Sequence, residues 1–129
     1  MTAVDTNVLV RFLVRDDARQ AARAAAVIRG GEIWVSKTVL LETAWVLGSL
    51  YGFAAGHVAA ALEALAGLEG VLLEDEICAA RALEWFRAGL DFADALHLAS
   101  AAPARRFATF DRQLAKGARR LAPLETIAL

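Results

Sequence analysis

The sequence predicts an α/β fold: a parallel central sheet of about four or five strands with helices on both faces. Two observations carry that prediction. Short apolar runs alternate with helix-length segments along the chain, and strands that alternate with helices pair in parallel beneath them. Two of those runs, Ala3-Val4 and Phe107-Ala108-Thr109-Phe110, end on an aspartate, Asp5 and Asp111. Such residues sit at the carboxyl edge of a parallel sheet, where open α/β folds place their sites.

The elements follow in order. The first strand closes at Asp5, and Thr6-Asn7 lead into a short helix over Val8 to Val14. Asp16-Asp17 read as a fresh N-cap, predicting a second helix from Asp17 to Ile28 that Gly30-Gly31 end. Glu32 to Val35 is a strand. Ser36 fits the N-cap of an apolar helix from Thr38 to Tyr51, closed by Gly52. A helix from Ala55 to Ala66 is apolar at Val58, Leu62 and Leu65, and Val71-Leu72-Leu73 is a short strand. Glu74 or Asp75 caps a helix through Ala88, with Ala79, Leu83 and Phe86 inward and Gly89 as its stop. The segment around Asp94 is helical from Phe92 to Ala102, where Pro103 ends it. Phe107 to Thr109 is a strand, Arg112 to Lys116 a short helix and Leu124 to Ile127 the last strand.

At 129 residues the chain reads as one domain, 1–129, long enough to bury about two-thirds of its unfolded surface. The hydrophobic content is 58%, yet no run approaches the roughly 18 apolar residues of a membrane span. Asp5 and Arg11 interrupt any apolar leader. The lone Cys78, in Ile77-Cys78-Ala79-Ala80, reads as a small core residue, and a reducing cytoplasmic setting fits. The excess apolar residues point to a subunit interface and no membrane. Its best candidate is the Thr38 to Tyr51 helix, apolar on nearly every face, because such a helix is buried all round.

A net charge of −1 gives no support for a nucleic-acid partner; its distribution says more. Between Arg105 and Arg120 six basic residues face the single acid Asp111, whereas Glu63 to Asp94 holds eight acids and only Arg81 and Arg87. Arg11, Arg15, Arg19 and Arg23 recur every four residues, although a cap at Asp16-Asp17 breaks that register. Such runs are commonly solvated faces. Lying beside Asp5 and Asp111, Arg11, Arg15, Arg112 and Lys116 are the candidates for holding a phosphate backbone.

The chemistry rests on four acids: Asp5, Glu42, Asp94 and Asp111. Glu42 and Asp94 are charges embedded in apolar helices, and no Lys or Arg lies one turn from Asp94; charged residues are rarely buried unless paired. If the four converge with oxygens about 5 Å apart, each pair repels by roughly 3 kcal/mol at an effective dielectric of about 20. Such a cluster takes up protons or binds a cation, and hard oxygen ligands select Mg²⁺ or Mn²⁺. Any one of these acids alone is equally well read as a cap or surface charge. Asp91 either caps its helix or extends the acidic patch. His97 reads as a packed or locally bonded helix histidine, and His57 as exposed.

Four segments resemble those of the PIN-domain family, and within it the small VapC-type toxins. They are Val4-Asp5-Thr6-Asn7-Val8-Leu9; Val39-Leu40-Leu41-Glu42 with Trp45-Val46-Leu47; Asp91-Phe92-Ala93-Asp94-Ala95-Leu96-His97-Leu98-Ala99; and Ala108-Thr109-Phe110-Asp111. The resemblance implies that Asp5, Glu42, Asp94 and Asp111 form a catalytic, metal-binding quartet for Mg²⁺ or Mn²⁺. It also implies a homodimer, an endoribonuclease acting on RNA, and a small antitoxin partner covering the groove. Thr6, Asn7 and Thr109 match polar positions that would aim the ligands, while Thr6 fits equally well as a helix cap. A receiver domain would need a Lys near Thr109, and a haloacid-dehalogenase-like phosphatase an Asp at position 7; neither is present. An RNA-processing PIN nuclease without antitoxin, and a non-catalytic RNA-binding or scaffold PIN domain, are the remaining alternatives.

Overall fold

The computed structural model describes all 129 residues, and they gather into two compact units, Met1–Glu76 and Ile77–Leu129. The first contains β1 (Thr2–Ala3), α1 (Thr6–Val14), α2 (Ala18–Arg29), β2 (Ile33–Val35), α3 (Lys37–Trp45), a π-helical turn (Val46–Leu50), α4 (Ala55–Ala66) and β3 (Val71–Leu73). Its strands pair in the order β1-β2-β3, all parallel, with Thr2 opposite Ile33 and Ile33 opposite Val71. Each crossover is helical, as parallel pairing requires.

Burial follows the apolar pattern. Ile33 and Val35 of β2 are almost wholly buried and join Leu9, Leu47, Leu62 and Leu65 in the core of this unit, each stabilising by about 1.5–3 kcal/mol relative to exposure. The hydroxyl of Thr43, also fully buried, donates to the Val39 carbonyl at 2.7 Å, which satisfies it one turn back in α3. Both α1 and α2 pack together, and α1 packs on α3.

The predicted Thr38 to Tyr51 helix differs in two ways. Its last turn widens into π geometry, with the Tyr51 N–H bonding the Val46 carbonyl. Its burial is one-sided: Leu40, Ala44 and Leu47 are buried, while Trp45 and Leu50 stand 59% and 68% exposed. Only one face of the helix finds partners within the single chain, and the other face, with Trp45 and Leu50, is left uncovered by this chain.

The second unit contains α5 (Glu76–Arg87), α6 (Phe92–Ser100), β4 (Arg106–Thr109), α7 (Arg112–Leu121) and β5 (Glu125–Ala128). β4 and β5 pair in parallel from Arg106 opposite Glu125 to Thr109 opposite Ala128, and α7 packs on both. The fold is therefore α/β, with five strands, only parallel pairings and seven α-helices. Hydrogen bonding divides the strands into three and two. Helix α7 continues five residues past the predicted stop at Lys116. Gly117 does not end it because the glycine is a contact point: a Cβ there would lie 2.4 Å from Leu90 Cδ2. No helix is long and apolar enough to cross a membrane.

Candidate active site

Four helices begin with an aspartate that accepts backbone N–H bonds, a strong N-cap preference with a direct cause, since the first turn has no internal acceptors. Asp5 Oδ1 accepts from Val8 at 3.2 Å and Asp17 Oδ1 from Gln20 at 3.0 Å. Asp91 Oδ2 accepts from Asp94 at 3.2 Å. Asp111 Oδ1 accepts twice, from Gln113 at 2.9 Å and Leu114 at 3.0 Å. The cap of α1 is thus Asp5 and not Thr6, which is the first helical residue and is buried. At both Asp5 and Asp111 the cap engages one carboxylate oxygen and leaves Oδ2 outside it.

The second unit brings its acids together. Asp91, Asp94 and Asp111 line an open cavity of about 470 Å³ with Gly89, Leu90, Gln113, Lys116, Gly117 and Arg120. Asp94 is half-buried, and desolvation, then the charges of Asp91 and Asp111, hold its carboxyl above the usual carboxylate range; His97 acts in the opposite sense. No ion pair ties any of the three acids to a basic side chain. Asp91 is both alternatives at once: it caps α6 and it borders the cavity. The Thr109 hydroxyl accepts the Asp111 N–H at 3.0 Å, fixing the turn from which that carboxylate projects. His97 is exposed, not packed as its apolar neighbours suggested.

The first unit carries the other predicted residues. Asp5, the cap of α1, and Glu42, on α3, are both exposed. Asn7 is exposed and borders a different cavity, with Val8, Gln20, Arg23, Ala24, Ala26 and Val27. The arginine stripe does not form: Arg15 ends α1 in the left-handed conformation at φ 59°, and Asp17 starts α2. Arg11 is engaged locally. It donates to Asp16 at 3.0 Å and to the Tyr51 hydroxyl at 3.3 Å, while that hydroxyl donates to Asp16 at 3.0 Å. Hydrogen bonds from Tyr51 and Arg11 hold the Asp16 carboxyl below its usual value. Arg15 donates from Nε to the Phe12 carbonyl at 3.2 Å.

Within neither unit do three His, Cys, Asp or Glu side chains gather closely enough to cage a metal ion. The donors at the cavity are nonetheless all hard oxygen, and Asp94, raised first by burial and then by the charges of Asp91 and Asp111, is a carboxylate whose ionised form a cation would favour. This fits Mg²⁺ or Mn²⁺ better than a softer metal, because Mg²⁺ keeps several waters and binds through one or two carboxylates. Of the predicted phosphate-binding residues in this unit, Lys116 lines the cavity and Arg112 does not. Arg120 and Gln113, which had not been singled out, do line it. Their spacing with Lys116 is a helical stripe, visible only if α7 runs through Gly117.

The family model of the PIN domain matches residues 2–120. No curated protein matches the chain. Among solved structures, the chain is similar to Mycobacterium tuberculosis VapC20, described as a Sarcin-Ricin loop cleaving toxin. The identity is 24% and the TM-score 0.45, over 90% of this chain and 94% of that one. A likeness at that level transfers neither substrate nor activity. The family match spans nearly every element from β1 to α7, including both strand-to-helix corners and the acidic cavity, and the chain belongs to the PIN-domain family.

Proposed function

We propose that this chain is a Mg²⁺- or Mn²⁺-dependent endoribonuclease and the toxin of a toxin–antitoxin pair, with Asp5, Glu42, Asp94 and Asp111 serving the metal. The observation that carries the reading is the cavity lined by Asp91, Asp94 and Asp111, none of them in an ion pair, with Asp94 held above its ordinary range. Membership of the PIN family supports a nuclease, and the four segments that resemble VapC-type toxins support an antitoxin and a cytoplasmic setting.

Asp5, Glu42, Asp94 and Asp111 would hold the divalent ion, which would supply an acidified water and charge to offset the scissile phosphate. The chain's own part is orientation. Asp111 is held from two sides, by its cap bonds to α7 and by the Thr109 hydroxyl on its N–H, so that Oδ2 remains for the metal. Asp5 is held by one cap bond and presents its own Oδ2. Cleavage by in-line attack leaves a 5′-phosphate and a 3′-hydroxyl, with no histidine required as base. Homodimer formation is part of the same proposal, supported by the exposed Trp45 at the end of α3 and Leu50 at the end of the π-helical turn that follows.

The test is incubation of purified protein with a mixed cellular RNA pool and Mg²⁺ or Mn²⁺, alongside EDTA and Asp94→Asn controls, with the new 5′ ends mapped. Discrete 5′-phosphate ends that vanish in both controls are expected. Intact RNA with folded, metal-loaded, antitoxin-free protein would overturn the nuclease reading.

A further inference from the structure

The cavity that holds the three acids also holds two cations that acid–base pairing leaves unused. Lys116 and Arg120 lie one turn apart on α7 and both line it; neither is in an ion pair with Asp91, Asp94 or Asp111. Two features place them there. Gly117 lies between them at the point where α7 meets Leu90, and any Cβ would collide with that side chain, so the glycine lets α7 approach the Gly89–Asp91 segment. Arg120 Nη2 donates to the Ala88 carbonyl at 3.1 Å, at the end of α5. That single bond engages one of five N–H donors on a planar guanidinium, which orients the group and leaves the others available.

Carboxylates and unpaired cations in one open cavity suit a ligand that needs both: a phosphodiester strand, with one phosphate at a metal on the acids and a neighbouring phosphate on the cations. We propose that Lys116 and Arg120 form a phosphate ledge that holds the RNA strand beside the scissile bond. This rests on the nuclease reading and adds a positioning role for Arg120 to it. A cavity of about 470 Å³ is within the roughly 300–1,000 Å³ of ordinary ligand sites, enough to seat a nucleotide and not a folded RNA.

A purely structural Arg120, capping α5, makes a different prediction, and the two separate experimentally. The probe is a fluorescein-labelled single-stranded oligoribonucleotide, bound to Asp94→Asn protein in Mg²⁺ and followed by anisotropy across a salt series. Arg120→Ala and Lys116→Ala, each added to that background, are expected to weaken binding about tenfold and to lower the salt slope by about one. Arg120→Lys should recover part of the loss. Arg119→Ala, which removes the same charge from the same helix outside the cavity, should leave both quantities unchanged.

Equal effects of Arg119→Ala and Arg120→Ala would overturn the ledge in favour of diffuse charge. A fall in melting temperature for Arg120→Ala with unaltered affinity and slope would assign it to the α5 cap alone. Cleavage of the RNA pool by wild-type protein, run in parallel, separates the two ideas. Intact cleavage with unaltered binding removes only the ledge, whereas absent cleavage together with absent RNA binding removes both.

Discussion

The corners β1–Asp5–α1 and β4–Asp111–α7 share a local design and differ in their company. In each, a short parallel strand runs into an aspartate whose Oδ1 caps the next helix. At Asp5 the cap is one bond, and α1 turns Leu9, Val10 and Phe12 into the core. At Asp111 the cap is two bonds reinforced by Thr109, and α7 buries only Leu114, Ala115, Gly117 and Ala118 while its other face is basic. The first corner anchors a packed helix; the second anchors a carboxylate beside a cationic surface.

Capping does not require a negative charge, since asparagine and serine cap about as well as aspartate. Ser36 does so for α3, and Asp17 is an aspartate cap whose charge the proposed chemistry does not use. The comparison therefore breaks apart by substitution. Asp111→Asn and Asp5→Asn should each lower RNA cleavage by roughly a hundredfold or more, because charge-bearing ligands to a divalent ion are lost while the caps survive. Asp17→Asn should leave cleavage unchanged. Comparable losses at all three positions, measured as initial cleavage rates, would mean that the effect is helix capping.

Alanine sharpens the contrast between the corners. Asp111→Ala removes two N–H acceptors and should cost about 1–2 kcal/mol, and Asp5→Ala about 0.5–1 kcal/mol; denaturant unfolding in EDTA measures both. Thr109→Val comes next. Loss of the bond to the Asp111 N–H should cost about 1 kcal/mol and slow cleavage without changing the cap.

How much of this was legible in sequence depends on what kind of signal each residue carried. The corners were legible because an apolar run ending in an acid is a local pattern, and α4 and β3 were legible to the residue because Gly67 and Gly70 mark the break between them. Arg120 was legible only as the end of a basic run, since a helix expected to stop at Lys116 hid the stripe, and the close approach to Leu90 accounts for a glycine inside that helix. The π turn after Trp45 and the bonds of Tyr51 to Arg11 and Asp16 were equally hidden, because they depend on partners 35 to 40 residues away or on backbone geometry. Asp94 was legible as an unpaired acid three residues from Asp91, but its nearness to Asp111 is a product of the fold.

The smallest expected effect concerns pH. Asp94 has a native pKa above its ordinary value, so the folded chain holds this proton at pH values where the unfolded chain has lost it. With more protons bound in the native state, stability falls as pH rises through that window. The ionised group is therefore a burden at neutral pH that disappears below the ordinary carboxylate range. In EDTA, Asp94→Asn should melt at the same temperature as wild type or higher at pH 7, with the difference closing as pH falls through the native pKa. Asp16, lowered by Tyr51 and Arg11, has the opposite dependence in both proteins and cancels in the difference. A lower melting temperature for Asp94→Asn at pH 7 would make Asp94 a structural residue.

The most direct test of the account is the melting-temperature shift on titrating Mn²⁺ into wild-type, Asp111→Asn and Asp17→Asn protein. Binding to the native state raises stability by mass action, so wild type and Asp17→Asn should rise together with Mn²⁺ concentration while Asp111→Asn stays nearly flat. A rise in Asp111→Asn equal to that of wild type would contradict the claim that this corner presents its free oxygen to a metal.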